Sequence, residues 1–364
     1  MSKSRFRIAV LAGDGIGVEV MAAALEVVET LAEHVGGMGF DMLPVVGGAR
    51  AYTETGQALS ETAWEDAEAA DAILFGAMGL PDVRYPDGTE IQPQLDLRAR
   101  LDLYAGVRPV RSIPGLPSPL ADVRAADIDF TIVREQTEGI FWSYGRGKRE
   151  GNQVAEDTIR VSRPATERIV DFAQATALKR KGAGRPGKLT LVDKANVLGS
   201  MAFMRQIFEE RSKRKPELRS EATYIDAAAL GLVKKPWDYD VIVTENQFGD
   251  ILSDIGAALI GGMGFAPSAD IGDDHALFQP CHGSAPDIMG TGKANPTAML
   301  LSAAMMLDWL GERHGHAKTS EAARVLEDAV RATYAATGLV PFELGGRAGT
   351  AEITKAVKQQ ITGR

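Results

Sequence analysis

Arg7-Ile-Ala-Val-Leu-Ala-Gly-Asp-Gly-Ile-Gly17, followed by the run Val18 to His34, carries the reading of the fold. Six residues dominated by branched and small apolar side chains predict a buried strand. The glycines then break it, and the spacing of Val20, Leu25, Val27, Val28 and Leu31 predicts one apolar face of a helix. The same alternation recurs downstream. Ala72-Ile-Leu-Phe-Gly-Ala is entered from a helix-like Glu61 to Ala70. Further strands are predicted at Phe130-Thr-Ile-Val-Arg, Lys188-Leu-Thr-Leu-Val-Asp and Val241-Ile-Val-Thr. Apolar runs alternating with amphipathic helices predict an α/β fold with a largely parallel core. At 364 residues the chain exceeds one average domain.

Composition bounds the function. The 45% hydrophobic and 24% charged content is that of an ordinary globular protein. No apolar stretch is long enough to span a bilayer, and Met1 to Arg7 leads into Gly-Asp-Gly instead of a signal peptide's apolar core. A single cysteine, Cys281, excludes an internal disulfide framework. These features predict a cytoplasmic protein without membrane partners. A formal charge of −9 argues against nucleic acid as a partner. The basic stretches Lys179 to Lys188 and Arg211 to Pro216 are expected to be solvated turns and helix ends.

Gly13-Asp-Gly-Ile-Gly17 invites comparison with a dinucleotide-binding turn, but the third glycine of G-x-G-x-x-G is replaced by Val18, and no acid stands at the end of a second strand. The alternative is a tight structural turn with an exposed Asp14. A more informative segment is Phe248-Gly-Asp-Ile-Leu-Ser-Asp254: if it opens a helix, Asp250 and Asp254 share one face and repel unless a cation lies between them. Oxygen-rich sites of this kind suit Mg²⁺ or Mn²⁺, although aspartate at a helix start is also a common cap. Asp226 is a candidate third ligand from another strand end. Arg98, Arg108 and Arg134, near the ends of candidate elements, are suited to a small polyanion. Lys194 reads either as a base, if desolvated, or as the partner of Asp193 or another neighbouring acid.

In this order the pieces resemble the β-decarboxylating dehydrogenases, the isocitrate/isopropylmalate dehydrogenase family, which includes homoisocitrate and tartrate/D-malate dehydrogenases. The resemblance runs from Gly13 to Thr350 and is carried most specifically by Asp193-Lys-Ala-Asn-Val-Leu198, Asn246-Gln-Phe-Gly-Asp-Ile-Leu-Ser-Asp254, and His282-Gly-Ser-Ala-Pro-Asp287 with Ala294-Asn-Pro296. It implies an isopropylmalate dehydrogenase-like fold of two α/β domains with mixed sheets. One would comprise residues 1–103 plus 261–364. The other, 104–260, would carry the dimer interface and an arm near 145–164, with the active site in the cleft between them.

The resemblance further implies NAD-dependent oxidative decarboxylation of a 3-substituted D-malate-type hydroxy acid, a dicarboxylate or tricarboxylate. Arg98, Arg108 and Arg134 would hold carboxylates. Asp226, Asp250 and Asp254 would hold Mg²⁺ or Mn²⁺, and Lys194 would act as the base. Lys194 and Asp226 would come from the second subunit of a homodimer with shared active sites. His282, Gly283, Ser284, Ala285, Asp287 and Asn295 would form the adenosine side of the NAD site. An acid at Asp287 would repel a 2′-phosphate, favouring NAD over NADP, and Cys281 would be packing.

The sequence also departs from the family. Phe141 stands where relatives usually have tyrosine and has no proton to give, so Tyr144 or water is expected to protonate the product carbon. In the loop that sets substrate choice, Gly88 to Arg98, Leu95 and Ile91 suit an alkyl wall, but Gln92 and Gln94 introduce amides that would cost on the order of 1–3 kcal/mol if left unpaired beside an isopropyl group. A tartrate- or malate-like substituent is the alternative, while Val197 matches the isopropylmalate type. Gln279 and Glu343 stand where relatives often carry glutamate and aspartate. The reading set against catalysis is a regulatory subunit. The retention of Lys194, both helix aspartates and three arginines speaks against it.

Overall fold

A computed structural model describes residues 3–363, so Met1, Ser2 and Arg364, the outermost residues of the expected domain span 1–103 plus 261–364, lie outside the described residues. Among the described residues twelve strands form: β1 (Arg5–Gly13), β2 (Gly39–Pro44), β3 (Ala72–Ala77), β4 (Ala105–Arg111), β5 (Asp129–Glu135), β6 (Lys148–Glu150), β7 (Val154–Glu156), β8 (Lys188–Asp193), β9 (Arg219–Tyr224), β10 (Val241–Thr244), β11 (Pro267–Ile271) and β12 (Ala276–Pro280). Ten of them build one sheet in the order β2-β1-β3-β12-β11-β4-β5-β10-β8-β9.

The ends of this sheet are parallel and its middle is not. β2, β1, β3 and β12 pair in parallel, as do β5, β10, β8 and β9. Between the two groups lie three successive antiparallel pairings, β12–β11, β11–β4 and β4–β5, so the two parallel groups run in opposite directions. Strands such as β3 and β10 are buried at every position, as expected where helices cover both faces. Helices supply the cover. Gly17–Val35 buries Val20, Val27, Val28 and Leu31 of the stripe anticipated from sequence, with Met21 and Ala24 besides and Leu25 only half-buried, and ends on Gly36 at φ 68°.

The β11–β4 seam joins segment 261–364 to segment 104–260, with Ala269 opposite Val107, Asp270 opposite Gly106 and Ile271 opposite Ala105. A separate hairpin, β6–β7, projects within the expected arm and is exposed along both strands.

The turn after β1 is a backbone junction. A Cβ on Gly15 would lie 1.9 Å from the Ser284 carbonyl oxygen, and one on Gly13 would lie 2.0 Å from that of Ala77. Ile16 N–H in turn donates to the Ser284 carbonyl at 2.8 Å. Asp14, expected to be exposed, is only 3% exposed. Its carboxylate accepts from the backbone N–H groups of Ala49 (2.7 Å), Arg50 (3.0 Å) and Gly79 (2.9 Å), which caps the helix Ala49–Thr55 and ties it to the end of β3. The correction has a simple physical origin: three orphan donors converge where only a short acceptor fits. Asp14→Ala is therefore expected to destabilise the protein by about 3 kcal/mol in urea melts. A loss below about 1 kcal/mol would show that water replaces the carboxylate without difficulty.

Candidate active site

Beside the seam lies a cleft of about 320 Å³. Arg98, Arg108 and Arg134 all line it, although they come from the helix Pro93–Arg100, β4 and β5 respectively. Arg134 is 4% exposed in its side chain. Its Nε and Nη2 donate to Asn246 Oδ1 at 3.0 and 2.7 Å, and Nη1 pairs with Asp250. Burial, followed by the charge of Arg98, pulls its pKa down to about 10, which leaves it cationic at neutrality. Gly249 is required here: a Cβ would lie 2.6 Å from Arg134 Cγ.

Asp250 and Asp254 face the same cleft from the helix Asn246–Leu259. Glu245 caps that helix by accepting from Phe248 N–H (2.7 Å) and Gln247 N–H (3.1 Å). The predicted cap role thus falls to Glu245, leaving Asp254 to the cleft and Asp250 to its pair with Arg134. Burial, and next the neighbouring Asp250 charge, push the Asp254 carboxyl above the usual carboxylate range.

Lys194 and Asp226 pair with each other at 2.8 Å, and neither lines this cleft. Lys194 follows β8, and Asp226 opens the helix Ile225–Lys234 after β9. The Lys194 hydrogen bond holds the Asp226 carboxyl below the usual range. Asp193 is occupied elsewhere, by Arg205 Nε at 2.7 Å. Among the described residues, no group of three metal-type side chains comes together within the single chain.

On the opposite side the loop after β12 contributes His282 and Gly283. His282 Nδ1 lies 2.9 Å from the Gly283 carbonyl, Nε2 is buried without a partner among the described residues, and burial lowers the imidazole pKa, so the ring is neutral. A Cβ at Gly283 would meet nothing within 4 Å, which leaves backbone open to a ligand. The Ser284 carbonyl ties this loop to the β1 turn through Ile16 N–H, and Ala285 follows with φ 35°. Asp287 is exposed. Asn295 is buried, donating to Glu343 at 3.0 Å and accepting from Thr297 N–H at 3.1 Å at the start of the helix Thr297–His314.

Phe141 lines the cleft, its ring 5.4 Å from the Arg134 guanidinium. Tyr144 does not line it. Burial and the Asp96 charge raise its phenol pKa, and it lies beside the substrate-loop segment that includes Asp87 and Thr89. Gln94 and Leu95 do face the cleft, and Gln94 Oε1 is buried with no partner among the described residues. Gln92, also on the wall, donates to Glu90 at 2.6 Å.

Asp270 was not anticipated from sequence. It sits on β11 with no exposure and joins two of the predicted arginines. A single acid inside a short apolar strand carries no motif, and only the pairing of β11 with β4 reveals its neighbours.

Guanidiniums, two helix carboxylates and an open glycine loop meet around one cleft, an arrangement suited to a small anion. Comparison with known proteins agrees. Residues 7–357 match the family model of isocitrate/isopropylmalate dehydrogenase. The chain is 40% identical over 356 residues to the 3-isopropylmalate/3-methylmalate dehydrogenase of Methanocaldococcus jannaschii, covering 98% of each chain. It is 42% identical over 360 residues to a 3-isopropylmalate dehydrogenase of Bacillus cereus, covering 98% of this chain and 96% of the relative. Among solved structures, isocitrate dehydrogenase from Methylococcus capsulatus superposes with a TM-score of 0.85 at 34% identity, covering 98% of this chain and 99% of that one. The apo β-decarboxylating dehydrogenase of Thermococcus kodakarensis gives 0.78 at 35%, covering 98% and 96%. The chain belongs to the isocitrate/isopropylmalate dehydrogenase family and is a decarboxylating dehydrogenase.

Proposed function

We propose that the protein catalyses NAD-dependent oxidative decarboxylation of a 3-substituted D-malate-type hydroxy acid, with the isopropylmalate-type reaction as the reference. The observation that carries this reading is the convergence of Arg98, Arg108, Arg134, Asp250 and Asp254 on one cleft bordered by His282 and Gly283. The arginines would hold the carboxylates and so fix the carbon bearing the hydroxyl. The raised Asp254 carboxyl beside Asp250 fits a divalent cation, which would relieve their repulsion. Mg²⁺ or Mn²⁺ held there with Asp226 of a second copy would favour the ionised hydroxyl and polarise the resulting ketone. Lys194 of that copy would take the hydroxyl proton, and NAD, when bound, accepts the hydride. The neutral His282, the open Gly283 backbone and the neighbouring Ser284, Ala285, Asp287 and Asn295 would receive the adenosine half, with exposed Asp287 favouring an unphosphorylated ribose. Because Phe141 has no acidic proton and Tyr144 does not line the cleft, protonation of the product carbon falls to water.

A homodimer with shared sites is supported by three features. The Lys194–Asp226 pair stands outside its own chain's cleft, and the β6–β7 hairpin is a two-stranded ribbon of a kind that is marginal alone. Leu230 and Val233, on the helix carrying Asp226, are 56% and 52% exposed, with Ile251 beside the metal-type aspartates at 50%. In this reading 1–103 plus 261–364 form the cofactor-side domain and 104–260 the dimerisation domain.

A second reading concerns the substituent on the third carbon. Gln92 and Gln94 bring amide side chains to the cleft wall, which favours a substituent that can hydrogen-bond, such as the second hydroxyl of tartrate, over a bare alkyl group. A panel of D-malate, tartrate, isopropylmalate, isocitrate and homoisocitrate with NAD and Mn²⁺ tests both readings. NADH should form with equimolar carbon dioxide on at least one of them, and be abolished by chelation. Absence of turnover on the whole panel would defeat the enzymatic assignment.

A further inference from the structure

The Asp270 carboxylate collects four side-chain donors. Arg98 Nε (2.8 Å) and Gln279 Nε2 (2.8 Å) reach Oδ2, and Arg108 Nη2 (3.0 Å) and Gln136 Nε2 (3.0 Å) reach Oδ1. They arrive from the helix Pro93–Arg100, β12, β4 and the loop after β5, so one buried acid ties both sides of the seam together. Room for this is built into the backbone: a Cβ on Gly106, opposite Asp270 across the seam, would lie 2.4 Å from Gln136 Nε2. Although burial works against its charge, Arg98 and Arg108 hold the Asp270 carboxyl far below the usual carboxylate range.

The network decides which guanidinium edges remain for a ligand. Arg134 spends Nε and Nη2 on Asn246 and Nη1 on Asp250. Arg108 spends Nη1 on the carbonyls of Ala269 (3.1 Å) and Val107 (3.3 Å) and Nη2 on Asp270. Arg98 donates only through Nε among the described residues, which leaves its Nη1/Nη2 edge open toward the cleft it lines. That edge is a fork of the geometry that binds a carboxylate bidentately.

We propose that Asp270 is a positioning residue that sets the anion capacity of the cleft: it aims the Arg98 fork and reduces the Arg98–Arg108 pair to one net positive charge, so that the pair seats one carboxylate and not two. Three of the five Arg134 N–H groups are spent, and the second N–H on each Nη provides the other seat, so the cleft selects a hydroxy acid with two carboxylates over one with three. This inference rests on the arginine-lined cleft being the substrate site, and it assigns the substrate class within that reading.

Asp270→Asn preserves shape and removes the charge. Its natural complement exchanges acid and amide across their 2.8 Å hydrogen bond, Asp270→Asn with Gln279→Glu, and restores the net charge. The experiment measures kcat and KM for D-malate, tartrate, isopropylmalate and isocitrate with NAD and Mn²⁺, together with calorimetric binding of D-malate and isocitrate and melting by circular dichroism. The native protein is expected to prefer its best dicarboxylate over isocitrate. The single variant should shrink that preference, chiefly through a lower KM and tighter binding of isocitrate, by at least about tenfold. The double variant should return the preference to within about threefold of native.

A folded single variant whose preference is unmoved, or a folded double variant that fails to recover it, would overturn the proposal. So would a native preference for isocitrate. If the single variant does not fold, the double variant decides by itself: native preference supports the charge role, and its loss refutes it. Failure of the native protein on every acid would instead strike the underlying functional reading.

Discussion

Lys194→Met is expected to lower kcat by about 10²–10⁴-fold, the range lost when a positioned general base is removed. KM for NAD should stay near its native value, because the role proposed for Lys194 is to take the hydroxyl proton, whereas the adenosine half is assigned to the His282 loop. The variant should fold, since the Lys194 side chain is 28% exposed and its partner Asp226 is 70% exposed. The decisive measurement is complementation. If Lys194 serves the cleft of a second copy, a Lys194→Met chain and an Asp254→Asn chain are each inactive alone, yet a mixed dimer contains one intact site and one doubly altered site. Random reassortment of equal amounts would then recover roughly a quarter of native activity, because half the dimers are mixed. If Lys194 swung into its own cleft, no mixed dimer would have an intact site. Recovery no greater than the sum of the two variants would therefore rule out shared sites.

What could be read from the sequence, and what could not, follows the range of the interactions involved. Periodicity is local, so strands such as Ala72–Ala77 and Val241–Thr244 and the helix after Gly17 were legible directly. The facing of Asp250 and Asp254 was legible because four-residue spacing fixes one helix face. Arg98, Arg108 and Arg134 were identifiable as candidates, but their meeting depends on the reversal of strand direction across β12, β11, β4 and β5, which no local pattern encodes. Asp270 was missed for that reason: its partners lie 9 to 172 positions away. Asp14 was misjudged as exposed because the donors it satisfies belong to Ala49, Arg50 and Gly79. Gln92 and Gln94 show the converse case. Their sequence position raised the substrate question, and their place on the cleft wall sharpens it.

Asp254→Asn should have two effects of opposite sign, and together they separate a cation site from a simple acidic face. In the metal-free protein the Asp254 carboxyl is raised by burial and by Asp250. A carboxyl raised on folding contributes stability that is fully present below its unfolded pKa and is lost as pH rises through its raised folded one; at neutrality the ionised group therefore costs stability. Replacing it with a neutral amide is expected to raise the metal-free melting temperature slightly at pH 7. A divalent ion reverses the balance, because it needs the ionised carboxylates and relieves their repulsion. At about a hundredfold excess over its dissociation constant, Mn²⁺ should stabilise the native protein by roughly 2.7 kcal/mol. This gain should fade as pH falls, starting above the range where an ordinary carboxylate would release the ion, since protons compete earlier at Asp254. In the variant the Mn²⁺ affinity should drop by at least about a hundredfold, given that even outer-sphere partners are worth ten- to hundredfold. NADH formation should fall with it, and thermal melts read the metal effect independently of turnover. Equal stabilisation of native and variant proteins by Mn²⁺ would place the ion elsewhere and remove the two helix aspartates from the reaction.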